Sequence, residues 1–295
     1  MRGVAACAAL VVAVAGVVGA GSSPTTQTRG LTVTVGVSAS SAAQLGSLGV
    51  GVDAVLGMVE EDLRGALGGA VRVDVERVTT SFEARTSAAA RKAAGKAGVL
   101  RAAARVEALR TTLLRLGQVE SAQLAAAEKT LASALARADR AFAARTDPAG
   151  LGCAQLGIEL NGHQAFGGRA HVRERWATVY TGALPFVFPP VRDLMRKAVA
   201  ALDFSAREFT AFRNGYTDAR RGALAARASA NAIEHQLGRL LGLPPTRGPL
   251  RDPMKSTLDL AAAEHFARGT TPLRFGPAAR AVLREAALRE ARRCG

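Results

Sequence analysis

Residues 31–37, LTVTVGV, alternate between two faces: Leu31, Val33, Val35 and Val37 on one, Thr32, Thr34 and Gly36 on the other. Period two with β-branched residues predicts a half-buried strand. The run AVRVDVERV repeats the pattern, with Val71, Val73 and Val75 opposed to Arg72, Asp74 and Glu76. Between them, Val52, Val55, Leu56, Val59, Leu63 and Leu67 recur at helical spacing, with Asp53 expected as N-cap and Gly68–Gly69 as the stop. Strand, helix and strand in this order predict a right-handed parallel unit. Two strands do not hold together alone, so the unit must recruit more. The segment LGIEL at 156–160 is the nearest candidate.

From Phe82 onward the period changes. Val106, Leu109, Leu113, Leu116, Leu124, Leu131, Leu135 and Phe142 follow mixed three- and four-residue steps, predicting a long amphipathic helix interrupted only by Gly117 and ended by TDPAG. Between Ser205 and Pro245 the pattern is tighter. Ser205 and Glu208 form a capping box. Phe209, Phe212, Tyr216, Ala219, Ala223, Ala226, Ala230, Ile233, Leu237 and Leu240 then mark a coiled-coil seam, suited to core packing or self-association, with Arg213, Arg220, Arg221 and Arg227 as a basic face outside it. Shorter helices are expected from Val191, near Leu258, and from Pro277 to Arg293.

The fold class expected is therefore α+β, mainly α. A small βαβ module at 21–82, which loosely resembles half of a ferredoxin-like module, precedes an antiparallel bundle of long, alanine-rich helices at 83–295, with an irregular joint at 146–170. Fold analogy of that kind implies no activity.

The first residues, MRGVAACAALVVAVAGVVGA, combine one arginine, an apolar run and a small-residue end, the anatomy of a signal peptide cleaved after Ala20. A secreted or periplasmic location is expected, with mitochondrial import as the alternative, because no acidic residue precedes Asp53. Removing the leader takes Cys7 away and leaves Cys153 and Cys294, which can pair once in an oxidising compartment.

The 295 residues are 48% hydrophobic, enough to build a core, and carry a formal charge of +15. Residues 21–82 hold four basic and six acidic side chains, a net of −2, so with Arg2 in the leader residues 83–295 carry +16. Such a surface attracts polyanions. Aromatics are only 4%, too few for stacking platforms along a single strand, so no specific nucleic-acid role is expected.

Candidate chemistry centres on CAQLGIELNGHQAFGGRAH. Glycines there let backbone amides approach an anion, and His163, Arg169, His171 and Arg173 make the candidate anion site. His163 and His171 do not have zinc spacing, and no nucleophile elbow, Walker loop or H-E-x-x-H run is present. No catalytic residue, metal or cofactor is assigned. The function expected is that of an exported, non-enzymatic helical-bundle protein whose arginine-rich face binds a protein partner, an anionic polymer or lipid headgroups. The segment QLGRLLGLPP resembles the helix ends of TolC-type outer-membrane efflux proteins, which implies a periplasmic envelope or efflux-channel component as one alternative. The other alternative, on the import reading, is an organelle RNA-protein complex subunit.

Overall fold

The computed structural model describes residues 30–145, 147–164, 167–193, 196, 216–245, 254 and 275–292. The leader, Arg213 and Cys294 lie outside them, as do Phe209, Phe212 and the helix expected near Leu258. The alternating run at 31–37 forms β1 (Gly30–Val37), and its apolar side is buried, with Leu31, Val33 and Val35 at most 1% exposed. Helix α1 (Ala39–Ser47) is N-capped by Ser38, whose Oγ accepts from the Ser41 amide. Helix α2 (Val52–Leu67) begins after Gly51 and stops at Gly68, whose φ of 61° suits glycine. Asp53 sits inside its first turn and is not the cap. Strand β2 (Arg72–Val78) then pairs with β1 in parallel, as the sequence predicts.

Three more strands complete the sheet: β3 (Gln155–Asn161), β4 (Gly167–His171) and β5 (Trp176–Tyr180). The order is β2-β1-β3-β5-β4. β2, β1, β3 and β5 run parallel, and β4 is an antiparallel edge hairpinned to β5. The segment 156–160 is the recruited strand expected above. Two expectations are corrected here. The stretch 155–171 is mostly strand and not an irregular joint, so the sheet extends well beyond Phe82. The direct β1–β2 pairing is also unlike the split βαβ unit of a ferredoxin-like module.

Helices α7 (Asp218–Leu240) and α8 (Pro277–Arg292) cover the apolar face of the sheet together with α2. A short turn of helix, α6 (Leu184–Val187), follows β5. Residues 216–217 are not helical, and Thr217 is an extended N-cap, so the row starting at Phe209 is not one continuous helix through Leu240. Ala226, Ala230, Ile233, Leu237 and Leu240 face the interior, which makes that part of the seam core and leaves it unavailable for self-association.

Residues 82–143 form an arm between β2 and β3, made of α3 (Phe82–Ala97), α4 (Val99–Arg115) and α5 (Ala122–Ala143). The single long helix expected here folds back at Gly117, whose φ is +68°. Ser121 restarts the chain by accepting from the Leu124 amide at 3.0 Å. Val106, Leu113, Leu124 and Ala127 form the arm's own small core.

The arm joins the sheet on its polar face. Glu159 of β3 is 6% exposed, and its carboxylate accepts from Ser81 Oγ at 2.7 Å and from the Glu83 amide at 2.9 Å. A carboxylate there answers the positive end of α3. Two glycines leave room for the approach: a Cβ on Gly36 would overlap the Thr80 carbonyl, and one on Gly157 would lie 2.9 Å from Trp176 Cβ and 3.1 Å from the Phe82 ring. Gly157→Ala is expected to cost about 1–3 kcal/mol of stability by overpacking. Gly57→Ala, in open space on α2, is expected to stabilise by about 0.5–1 kcal/mol. Urea unfolding of the two variants side by side measures the contrast.

Candidate functional site

Helix α7 is buried on nearly all sides: every residue from Ser229 to Gly238 is shielded from solvent. A polar side chain in such a place must find a partner or lose its charge. Arg227 ion-pairs with Asp62 of α2, both side chains being under 15% exposed. One and two turns further along the same face come Asn231 and Glu234. Glu234 is fully buried, and neither of its carboxyl oxygens meets a donor among the described residues. Burial, and then the negative charge of Asp62, push its pKa well above the usual carboxylate range, while Arg227 pulls the other way. Burial beside the Asp62 carboxylate thus favours the neutral acid at Glu234. With Asp62 negative and Arg227 positive, the cluster is balanced overall.

His235 is 5% exposed and Gln236 1%. Gln236 lies against edge strand β4, where a Cβ on Gly168 would sit 3.0 Å from both its Cγ and its Nε2. Two residues on, Gly238 admits the sulfur of Met254, itself 1% exposed.

Ligands of open α/β sheets commonly bind beyond the carboxyl ends of the strands, where the chain's direction across the sheet reverses. Here that point lies between β1 and β3, and the protein fills it with its own side chains. Gln44 Nε2 donates to the Gly162 carbonyl at 2.8 Å, Ser41 and Thr181 share a buried hydrogen bond at 2.8 Å, and the Gly162 amide donates to Ser38 Oγ at 3.3 Å.

The four residues of the expected anion site are dispersed. His163 is exposed on the loop after β3, edge-on to Tyr180 at 6.0 Å. Arg169 and His171 share one face of β4, but His171 is at the opposite end of that strand from the Tyr180 pairing. At about 3.3 Å per residue, the length of β4 separates the two histidines. His171 stacks on Trp176 at 4.2 Å, and burial lowers its pKa, which favours a neutral ring. Arg173 donates to the Ala143 carbonyl at the end of α5.

The expected basic face is also corrected. Arg221 donates to the Phe188 carbonyl at 3.0 Å and Arg227 is committed to Asp62, so both point into structure rather than water. Arg220, partly buried in the first turn of α7, does not complete such a face. Sequence reasoning missed Asp62, Glu159, Glu234 and Gln236. The available signal was a run of polar residues, Glu234-His235-Gln236, inside a helix otherwise patterned for burial.

A carboxyl whose folded pKa is raised favours the folded state fully below its unfolded value, about 4.3, and loses that contribution as pH climbs toward the folded value. Wild type is therefore expected to lose stability relative to Glu234→Gln as pH rises above about 4.3. Thermal melts of both proteins across pH measure the widening gap, and a constant gap would refute the buried neutral acid.

No protein-family model, curated protein or solved structure matches this chain.

Proposed function

We propose that this is an exported, non-enzymatic protein that binds an anionic polymer or surface through its helical arm. The observation that carries the reading is the charge of that arm together with the two residues after it: residues 82–145 hold twelve Lys and Arg against five Asp and Glu, a net of +7. Most of these cations form no ion pair among the described residues. Arg110 pairs with Glu128, and Arg85 and Arg137 bond backbone carbonyls. Lys92, Lys96 and Arg145 instead line a cavity of about 480 Å³ between α3 and α5, with alanines on its walls and one carboxylate, Asp147. Asp147 is occupied by the Leu151 amide at 2.6 Å. Three cations facing one open space favour a multiply charged anion.

Extracytoplasmic placement goes with the leader sequence and with a Cys153–Cys294 disulfide, which we propose as part of the same reading. Arg175 supports the pairing, since its guanidinium donates to the Leu151 carbonyl at 3.1 Å and lies 3.9 Å from Glu290. The loop carrying Cys153 and the end of α8 are thereby held side by side.

The mature protein is expected to bind heparin and acidic liposomes, with affinity falling at least about tenfold between about 50 and about 200 mM salt. The triple variant Lys92→Glu, Lys96→Glu, Arg145→Glu should bind more weakly at every salt concentration. Binding that ignores both salt and the triple substitution would overturn the arm as the binding element. A thiol titration of the unreduced mature protein should find no free cysteine, and sequencing should place its first residue at Gly21.

A further inference from the structure

We infer that the end of α7 and the turn after it keep the frame of a zinc-peptidase metal helix from which the metal donors are gone. In the frame H-E-x-x-H-x-x-G-x-x-H, two histidines one turn apart bind the metal, glutamate serves as base, and a glycine turn brings in a third histidine. Read from His235, this chain has His235, Gln236, Arg239, Gly242 and Pro245 at the fixed positions. The histidine that starts the frame and the glycine that turns it are kept.

The backbone follows the frame as well. Helix α7 ends at Leu240, and Gly242, with φ +89°, reverses the chain. The Leu243 amide then donates back to the Gly238 carbonyl at 2.8 Å. The frame is followed in zinc peptidases by a methionine turn, and here Met254 packs its sulfur against Gly238 within the helix. Gln236, at the place of the general base, lies buried beneath the edge strand.

The donor set does not suit zinc. A catalytic zinc takes three protein ligands. Arg239 is permanently cationic and offers only donors, Pro245 offers no side-chain donor atom, and the neutral amide of Gln236 cannot take a proton from water. His235 alone remains. Among the described residues no three His, Cys, Asp or Glu side chains are grouped to hold a metal. The position stands apart from the charged arm, so salt-sensitive anion binding tests a different surface.

Zinc titration of the full mature chain against a chromophoric chelator tests the inference. Wild type should show no site tighter than about 100 µM, while R239H, which restores a histidine pair one helical turn apart, should bind measurably. Adding P245H should tighten that binding at least about tenfold, because the third ligand closes the coordination shell. R239H/P245D, which supplies a carboxylate at the same place, provides the comparison if P245H does not melt cooperatively. Stoichiometric tight zinc binding by wild type would overturn the inference, as would folded double variants that bind no better than R239H.

Discussion

The carboxylate of Glu159 is the point at which two different kinds of structure meet. It rises from the polar side of a central strand and takes the hydroxyl of Ser81 and the amide of Glu83, so the first turn of the arm starts on the sheet itself. Without a buried acceptor, those donors would be withdrawn from water with nothing to bond, at roughly 1–3 kcal/mol per group. The absence of side chains at Gly36 and Gly157 makes the approach close enough for that contact, and Phe82, Ala149, Leu151 and Trp176 then seal the joint with a small apolar cluster. The position of the cationic arm relative to the sheet follows from this one attachment.

On the other side of the sheet, α7 solves a different problem. A helix enclosed all round is ordinarily apolar, yet this one carries Arg227, Asn231, Glu234, His235 and Gln236. Charge there is tolerated because it is cancelled: Arg227 meets Asp62, and Glu234 is held in its neutral form. Breaking one member of such a set leaves an uncompensated buried charge, which costs far more than an exposed pair contributes. The same helix carries the outline of a metal-binding frame, and the two features are adjacent, with Glu234 immediately before His235.

Much of the mixed unit was legible because its periods are clean. The valines of β1 and β2 and the helical row of α2 leave little choice, and the need for partner strands pointed directly to 156–160. Strand β4 was not legible: its five residues include two glycines, and Arg169 and His171 obey no apolar alternation because an edge has one side in water. The break at Gly117 was visible, but its meaning depended on Ser121 acting as a cap four residues later, a signal outweighed by the run of leucines around it. The candidate anion site failed for a geometric reason, since the eight-residue step from His163 to His171 includes the whole of β4 rather than closing one concavity. The stripe Arg227, Asn231 and Glu234 becomes meaningful only once α2 is known to face it with Asp62.

The packing of α8 has a further consequence for how the molecule is made. Helix α8 lies on α2 and β1, with Leu283 fully enclosed, so β1 gains its full surroundings only from a helix far away in sequence. Contacts between chain ends are slow to form because the intervening polymer must first be brought to order. Until that distant helix docks, the apolar side of β1 and α2 keeps part of its surface open to water.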